Sequence, residues 1–514
     1  MQNATKRAVE IACLDIGPLV SAPQVRKYLA VRAIPSQGAS VGRVGSTRPS
    51  SRRLWGNPEM TVTEEAVGKF VSNLHGELIR EGQQAYEEAR RLWNLMIDRR
   101  PSMILRCRDP EDVVQAVNFA RDHGIGLSVR GGGHGVSGNA ICEGGLVIDL
   151  SLMDAVRVDP ERRTAVAEGG ATWGGFDRAT QIHGLATTGG IVSETGIAGL
   201  TLGGGFGILM RKHGLACDNL LEAEIVTADG QIRKVSPDEN PDLFWAIRGG
   251  GGNFGVVTSF TYRLHPVGRI LWGPLIHPVK RAGDVLRHYQ KFMDGAPDEL
   301  QAYGAFLFGP DGTPVVAVVL AWIGPIEEGL RVLRPLREFG PPLADMVQET
   351  AYMDHRVGFD ASYPRGFRNY WKSNMLDALT DGTIEALARE FAKAPSRKGG
   401  TGIALEALGG AVGRVDEDHT AFAHRGAAYS AIITASWKDP SEDAANRAWV
   451  RGVWDALRPF APSGVYVNYM QEEADEGEAR TRAAYGEQYE RLVALKGKYD
   501  PGNLFRFNQN IRPV

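Results

Sequence analysis

Cysteine is scarce in this sequence of 514 residues. The four that occur are Cys13, Cys107, Cys142 and Cys217, without a CxxC pair or any spacing typical of zinc ligands. Neither a disulfide framework nor a cysteine-based metal cluster is indicated, and no metal is predicted. A reducing cytoplasm is the expected compartment.

Long apolar runs and a charge of one sign are also missing. The longest apolar run covers residues 315–323, which is too short to span a bilayer and predicts a buried strand. No apolar segment with a small-residue cleavage site follows Met1. The 58 Lys and Arg residues nearly balance the 61 Asp and Glu residues and form no basic stripe. Neither a membrane nor a nucleic acid is expected as a partner.

Glycine, in contrast, is abundant and clustered. Of the 63 glycines, 27 lie between residues 131 and 255, a segment that needs a permissive backbone. The other proportions, 43% hydrophobic and 23% charged residues, are typical of a globular protein. A length of 514 residues predicts at least two folding units.

The patterns along the chain divide it into four segments. Residues 1–58 lack sustained periodicity and are predicted to be a disordered extension. Residues 59–268 alternate short strands with helices, including one helix over residues 63–96 and another that Asp109 and Pro110 open. Residues 269–462 combine longer strands with helices, as in a sheet backed by helices, and residues 463–514 form a C-terminal segment.

Three glycine-rich clusters cover residues 131–135, 203–207 and 249–255. Backbone N–H groups of such loops can converge on an anion, so three clusters favour a bound diphosphate over a series of tight turns. The stretches 133–138 and 250–255 match GxGxxG, but no helical pattern follows either one, which argues against a Rossmann fold. A P-loop is excluded because no Gly-Lys-Ser/Thr follows a cluster.

With their surroundings, these clusters resemble the FAD-linked oxidases of the berberine bridge enzyme and 6-hydroxy-D-nicotine oxidase group. The likeness extends over residues 85–512. It rests on RGGGH at 130–134, GGIVSETGIAGLTLGGGFG at 189–207, GLACDN at 214–219, NPDLFWAIRGGGGNFGVVT at 240–258 and YDPGNLFRFNQN at 499–510.

The resemblance implies an α+β fold class. A PCMH-type, vanillyl-alcohol-oxidase-like FAD-binding domain is expected over residues 59–268, a substrate-binding domain of antiparallel sheet backed by helices over 269–462, and a berberine-bridge-like segment over 463–514 that returns to the FAD domain. The implied activity is that of an FAD-dependent oxidase, which moves a hydride from a small alcohol, amine or ring C–H to the flavin and then to O2, giving H2O2. A flavin dehydrogenase with another acceptor and a flavin-carrying protein without turnover stay alternatives.

The resemblance also implies how the cofactor is held. In this family the histidine after the glycines is bonded to the flavin, so a covalent link through His134 is expected. Relatives often add a second link from a cysteine at the position of Val192, and neither Cys142 nor Cys217 stands there, so a single link is expected. Gly135 departs from the Ser or Asn that often follows the histidine. Further cofactor contacts are expected at Arg130, Gly131, Gly132, Gly133, Gly135, Asn139, Gly190, Thr195, Gly196, Gly199, Gly203, Gly204, Gly205, Asp218, Asn219, Gly255, Val257 and Asn508.

The base that takes the substrate proton is sought in Tyr466-Val467-Asn468-Tyr469, which resembles the family segment that brings a tyrosine to the flavin. As a strand, this segment would point Tyr466 and Tyr469 in opposite directions. Tyr469 is preferred over Tyr466, while aromatic packing explains both residues equally well.

Other candidates carry weaker signals, and none is singled out. Tyr370 and Trp371 are typical of a core, Lys372 of a solvated side chain and His424 of a structural histidine, and the set is completed by Glu406. Separately, Asn508 and Gln509 are expected to contact the flavin ring, since the end of the chain is expected to return to the FAD domain. The identity of the substrate and the oligomeric state cannot be predicted from the sequence, because the pocket lies in the divergent middle domain.

Overall fold

The computed structural model describes residues 62–397, 399–462, 464–471 and 477–514. The predicted disordered extension, residues 1–58, lies outside the described residues. The segment from Val62 onward clusters as one compact unit, and the predicted boundaries after residues 268 and 462 stay predictions.

The first sheet has four strands in the order β1-β2-β4-β3, in which β2, β4 and β3 run parallel and β1 is antiparallel. The helix α3 begins after Asp109, whose side chain accepts a hydrogen bond from the N–H of Asp112 at 3.1 Å, as predicted for its cap. The elements of this region are α1 (Glu64–Val71), β1 (Glu77–Arg80), α2 (Tyr86–Ala89), β2 (Met103–Arg106), α3 (Pro110–Asp122), β3 (Leu127–Arg130) and β4 (Leu146–Asp149).

The single helix predicted over residues 63–96 is wrong. The helix ends after Val71, and the chain then extends to pair Glu77 with Arg106 along the edge of the sheet. A Cβ on Gly76 would lie 2.1 Å from the carbonyl oxygen of Arg106, so the chain approaches β2 too closely for a helix with side chains. Tertiary pairing therefore overrides the helical spacing of this stretch.

The second sheet is antiparallel, with five strands in the order β5-β6-β10-β8-β9. Gly230 adopts φ of 77° in the β8–β9 turn, which confirms the hairpin predicted from Asp229 and Gly230. The elements are β5 (Val156–Asp159), β6 (Thr164–Glu168), α4 (Trp173–Gln181), β7 (Leu185–Ala186), α5 (Ile197–Leu202), α6 (Met210–His213), β8 (Leu220–Val226), β9 (Ile232–Val235), α7 (Pro241–Ala246), β10 (Val256–Arg263) and β11 (His265–Pro266), of which β7 and β11 form a separate pair.

The third sheet is an antiparallel sheet of eight strands in the order β15-β12-β14-β13-β18-β19-β17, with β16 also paired to β12. This arrangement confirms the α+β class and the predicted antiparallel sheet backed by helices. Its elements are β12 (Arg269–Pro278), α8 (Ala282–Met293), β13 (Leu300–Phe308), β14 (Pro314–Trp322), α9 (Ile326–Glu338), β15 (Ala344–Asp345), β16 (Gln348–Ala351), α10 (His355–Ser362), β17 (Arg368–Leu376), α11 (Asp381–Phe391), β18 (Gly402–Ala407), α12 (Ala411–Arg414), β19 (Tyr429–Trp437) and α13 (Asp443–Leu457).

The two faces of this sheet differ in what covers them. One face packs its apolar side chains against α8, α9, α11 and α13 in a single core, to which Leu405 of β18 belongs. Because side chains alternate along a strand, Ala404 and Glu406 point to the other face. Tyr303 of β13 lies opposite Glu406 in register, and Trp371 of β17 lies on this face too, packed with Ile432 of β19. This face carries the residues of the candidate site.

The C-terminal segment contains α14 (Gly477–Tyr485) and α15 (Tyr489–Tyr499). Short 3-10 helices cover Ala216–Asn219, Gly251–Asn253, Val279–Arg281, Tyr352–Asp354, Glu417–His419, Pro440–Glu442, Arg458–Phe460, Val467–Tyr469 and Gly486–Gln488. Within the described ranges, no helix combines the length and the apolar character needed to cross a membrane.

Candidate active site

The glycine loop after β3 has backbone N–H groups without an acceptor in the described part of the chain. None of the N–H groups from Gly132 to Gly135 donates to an acceptor among the described residues. A Cβ on Gly132 would lie 2.5 Å from the nitrogen of Gly196, and a Cβ on Gly196 would lie 2.5 Å from the nitrogen of Gly132. The two predicted cofactor loops are thus in backbone contact, and the free N–H groups between them suit an anionic ligand.

His134 lies in this loop with its imidazole stacked on an indole. The ring centroids of His134 and Trp93 are 4.3 Å apart, with an interplanar angle of 22°. Burial lowers the pKa of His134 to about 4, and the nearby Arg365 acts in the same direction. The Nε2 atom is buried without a hydrogen-bond partner in the described part of the chain. The imidazole is therefore neutral at pH 7.

A chain of aromatic contacts joins His134 to the predicted catalytic tyrosine. Trp93 packs edge-on against Trp371 of β17 at 5.5 Å between centroids, and Trp371 packs edge-on against Tyr469 at 6.1 Å. The glycine loop, the face of the large sheet and the segment around Tyr469 are therefore joined by one cluster of packed side chains. The sequence predicted His134 and Tyr469 separately, and the structure brings them together through two tryptophans.

The segment of the two tyrosines is a 3-10 helix rather than the strand that was predicted. Residues i and i+3 of a 3-10 helix lie on the same side. The rings of Tyr466 and Tyr469 therefore contact each other, with 4.8 Å between their centroids, instead of pointing apart. The Tyr466 hydroxyl accepts hydrogen bonds from the N–H of Gly205 at 2.9 Å and from Nδ2 of Asn468 at 2.8 Å. Its ring stacks on Phe206 at 4.0 Å, so Tyr466 supports the second glycine cluster.

Tyr469 contacts the buried carboxyl of Glu406, which the sequence analysis named among the weaker candidates without singling it out. Its hydroxyl donates to Oε1 of Glu406 at 3.1 Å, and Oε2 of Glu406 finds no partner among the described residues. Burial raises the pKa of Glu406 to about 7, an effect that the nearby Ser430 hydroxyl and then the Tyr469 hydrogen bond reduce. The signal in the sequence was a single acidic residue in the otherwise apolar run GIALEA, which is unusual for a buried strand.

Two predicted cofactor residues, Asp218 and Asn219, fix the turn that hydrogen-bonds to the second glycine cluster. Asp218 forms a buried ion pair with Arg425, at 2.6 Å, and accepts the N–H of Leu215. Asn219 donates from Nδ2 to the carbonyl oxygens of His213 and Leu215. The turn fixed in this way donates backbone hydrogen bonds from residues 216 and 217 to the carbonyls of the cluster.

The remaining predicted cofactor residues of the first two loops are placed as follows. Arg130 donates to the carbonyl of Ala89 at 2.5 Å, Asn139 lies half-buried in a turn, the carbonyl of Gly190 accepts from Arg356, and the N–H of Thr195 donates to Val192. Gly199 is exposed, and a Cβ there would have no atom within 4 Å. Gly203 approaches Asn468, Gly204 and Gly205 take φ of 116° and 95°, and Gly131 approaches Ala198.

The third glycine cluster docks the C-terminal segment. The ammonium of Lys496, fully buried, donates to the carbonyl of Asn253 at 2.7 Å and to Asp500. Asn508 donates from Nδ2 to the carbonyl of Gly252 at 3.0 Å, and the N–H of Ile511 donates to Oδ1 of Asn253. The C-terminal segment therefore contacts this cluster, whereas the predicted domain division and ligand binding by the cluster stay predictions.

Other predicted residues of this region pack within the sheet. A Cβ on Gly255, at φ of 156°, would lie 2.4 Å from the carbonyl oxygen of Val226, and Val257 is buried in β10. Lys372, predicted to be solvated, is buried instead, with its ammonium 4.3 Å from the ring centre of Trp454. His424 donates a hydrogen bond from Nε2 to the carbonyl of Ala483 at 2.9 Å and is structural as predicted.

Comparison with known proteins agrees with this geometry. A family model described as FAD binding domain matches residues 101–236, and one described as berberine and berberine like matches residues 465–512. An FAD-linked oxidoreductase of Dictyostelium discoideum is 33% identical over 456 residues, which cover 88% of this chain and 97% of the relative. The (R)-6-hydroxynicotine oxidase of Paenarthrobacter nicotinovorans is 31% identical over 455 residues, covering 86% and 97%.

The fold comparison points the same way. The crystal structure of 6-hydroxy-D-nicotine oxidase from Arthrobacter nicotinovorans superposes with a TM-score of 0.78 at 29% identity, covering 86% of this chain and 98% of that one. The PCMH-type fold, the FAD cofactor and an oxidoreductase activity are thereby confirmed. The chain belongs to the FAD-linked oxidoreductases of the berberine bridge enzyme and 6-hydroxy-D-nicotine oxidase group.

Proposed function

We propose that the protein is an oxidase that removes a hydride and a proton from a small organic substrate, an alcohol, an amine or a ring C–H, and delivers the electrons to O2 as H2O2. One observation carries the proposal: His134 and the Tyr469–Glu406 pair border the same site, joined through Trp93 and Trp371. The named activity of the (R)-6-hydroxynicotine oxidase relative supports the oxidase over a dehydrogenase.

The residues present suit a flavin bonded to one histidine. The neutral imidazole of His134 has a buried nitrogen without a partner in the described ranges, and the free N–H groups of Gly132–Gly135 suit a diphosphate or a ring oxygen. Val192 offers no sulfur for a second bond, which supports a single link. When bound, FAD accepts the hydride and returns electrons to O2.

The proton is handled by Tyr469 and Glu406. Burial and the Glu406 charge raise the pKa of Tyr469 well above its ordinary value, so its hydroxyl is not a free phenolate base at pH 7. Glu406, with a pKa of about 7, is matched to proton uptake near neutral pH. In the proposed step the Tyr469 oxygen accepts the substrate O–H or N–H proton while its own proton passes to Oε1 of Glu406.

A substrate screen tests the proposal directly. Purified holoprotein is offered a panel of alcohols, amines and hydroxylated rings, and H2O2 release is recorded with O2 uptake. Matching peroxide and substrate loss supports the oxidase. Flavin bleaching by substrate that only an artificial acceptor reverses would identify a dehydrogenase, and no bleaching across the panel would favour a carrier without turnover.

Acid precipitation tests the link to the flavin. The wild-type pellet is expected to stay yellow and to yield a flavin-bearing peptide that contains His134, whereas His134→Ala releases all flavin into the supernatant. Free flavin from the wild type would end the proposal of a covalent link. A further proposal is a cytoplasmic protein whose partner is a small molecule. The balanced charge of the chain supports a partner other than nucleic acid, and the shortness of its longest apolar run supports a partner other than a membrane.

A further inference from the structure

Residues Trp93 and Asn94, here called the loop strap, form hydrogen bonds with the backbone on both sides of His134. The N–H of Trp93 donates to the carbonyl of Gly133 at 3.3 Å, immediately before the histidine. The side-chain Nδ2 of Asn94 donates to the carbonyl of Val136 at 2.9 Å, two residues after it. The backbone that carries His134 is therefore held from both ends by adjacent residues of another segment.

The loop strap is itself fixed to the large sheet. Asn94 exchanges two hydrogen bonds of 2.9 Å with the backbone of Asn369 in β17, accepting its N–H and donating to its carbonyl. The indole N–H of Trp93 donates to the carbonyl of Tyr363 at 3.1 Å. Trp93 is 2% exposed and Asn94 is 1% exposed. The orientation of the indole is consequently set by β17 and by the backbone at Tyr363, in addition to the glycine loop.

The indole in turn sets the plane of the imidazole. With 4.3 Å between centroids and 22° between planes, the Trp93 face covers one face of the His134 ring and prevents the imidazole from rotating. The same contact keeps water away from that face, and this burial is the main cause of the low pKa of His134. A bond-forming nitrogen needs both properties, a fixed direction and an unprotonated lone pair.

We propose that Trp93 is a positioning residue for covalent flavin attachment, holding the His134 imidazole in the orientation in which it bonds to the flavin methyl carbon. The inference rests on the proposed covalent link through His134. Formation of the C–N bond removes one proton from the methyl carbon and one from the imidazole and leaves two electrons on the flavin; O2 takes up both electrons and both protons and becomes H2O2.

The experiment measures the covalent fraction of the bound flavin over time. Trp93→Leu, Trp93→Phe and wild type are incubated with FAD and O2, and samples are acid-precipitated at intervals and at pH values from 5 to 8. Trp322→Leu is the matched control, because Trp322 is also a fully buried tryptophan whose indole N–H has a partner, the carbonyl of Pro325, and it lies in the core on the helix-covered face of the large sheet. The amount of flavin bound before precipitation reports folding and non-covalent binding, separately from the covalent fraction.

Trp93→Leu is expected to attach bound flavin about tenfold more slowly than wild type or Trp322→Leu, because the imidazole is free to rotate. Its attachment rate should also fall below pH 6.5, while the wild-type rate stays level there, and Trp93→Phe should restore most of the rate. Equal rates and equal pH profiles in Trp93→Leu and wild type would overturn the inference. No covalent flavin in wild type would instead overturn the proposed link, so the two failures are distinguishable.

Discussion

The hydroxyl of Tyr469 donates a hydrogen bond of 3.1 Å to Oε1 of Glu406, and the second oxygen of that carboxyl has no partner among the described residues. A phenol and a carboxyl buried together share their protons more readily with a ligand than with water. Under the proposed function, this pair sets the pH at which the site takes up a substrate proton.

Replacing the carboxyl should slow the reduction of the flavin. Glu406→Gln keeps the shape of the side chain but cannot accept a proton, so anaerobic flavin bleaching by a substrate is expected to slow about 100-fold or more. In the wild type the rate should rise with pH through about 7, as Glu406 loses its proton. Stopped-flow absorbance from pH 5.5 to 9 records both effects.

The two tyrosines provide the controls for this measurement. Tyr469→Phe should lose rate like Glu406→Gln, whereas Tyr466→Phe should keep the rise near pH 7, because its hydroxyl bonds the backbone of Gly205. An unchanged pH profile in Glu406→Gln would assign the proton to another group.

The ionised carboxylate of Glu406 should destabilise the folded protein at neutral and alkaline pH. Its pKa in the folded protein, about 7, lies above the ordinary value of 4.5, so the protonated form is favoured on folding and stability falls as pH rises from 4.5 through 7. The flavin-free Glu406→Gln variant should exceed wild type by about 3 kcal/mol in unfolding free energy at pH 8 and by little at pH 4. Urea titrations at the two pH values measure the difference; equal gains at both would contradict a role for ionisation.

The contact between the first two glycine loops should be sensitive to one methyl group. Gly196→Ala places a Cβ 2.5 Å from the nitrogen of Gly132, so the loops must separate, at a cost of about 1–3 kcal/mol, and flavin content should drop. Gly199→Ala meets no protein atom within 4 Å, so the flavin-free protein should keep its stability while flavin content falls if the predicted cofactor contact exists. Flavin absorbance per chain and urea unfolding separate the two effects, and full flavin content in Gly196→Ala would refute the argument.

The buried pair of Arg356 and Asp177 should be far more important to stability than an exposed pair. Arg356 of α10, 2% exposed, donates to Asp177 of α4 and, at 2.6 Å, to the carbonyl of Gly190. Arg356→Met leaves the Asp177 charge buried alone and should cost about 3–5 kcal/mol. Arg365→Met is the control, because the side chains of Arg365 and Glu194 are 55% and 48% exposed. This variant should lose at most about 1 kcal/mol of unfolding free energy.

Urea unfolding of the flavin-free variants measures both losses. Adding Asp177→Asn to Arg356→Met should recover part of the stability, since the buried charge is then removed. Similar losses in the buried and the exposed variants would contradict the assignment.

Local chemistry explains which parts of the structure could be predicted. The cap of α3 at Asp109 and the Asp229-Gly230 turn follow from hydrogen bonds and dihedral angles within a few residues, and both are confirmed. The strand β1 and the 3-10 turn before Tyr469 depend on partners far along the chain, such as Arg106, and their local patterns were misleading.

The residues of the candidate site differ in the same way in how far the sequence could predict them. His134 stands in a motif, so its importance was evident in the sequence. Glu406 and Trp93 belong to no motif; their roles come from burial and from neighbours that only the fold brings together. A lone acidic residue in an apolar strand was the available signal for Glu406, and no pattern in the sequence distinguished Trp93 from an ordinary core residue.

The docking of Lys496 and Asn508 on the third glycine cluster has a consequence for synthesis of the protein. The carbonyl of Asn253 receives its hydrogen bond from Lys496, 243 residues later in the chain. During translation the glycine turns therefore leave the ribosome long before the residues that complete them, and nearly the whole middle region is made in between. The third glycine cluster therefore gains these hydrogen bonds only after the middle region has been translated.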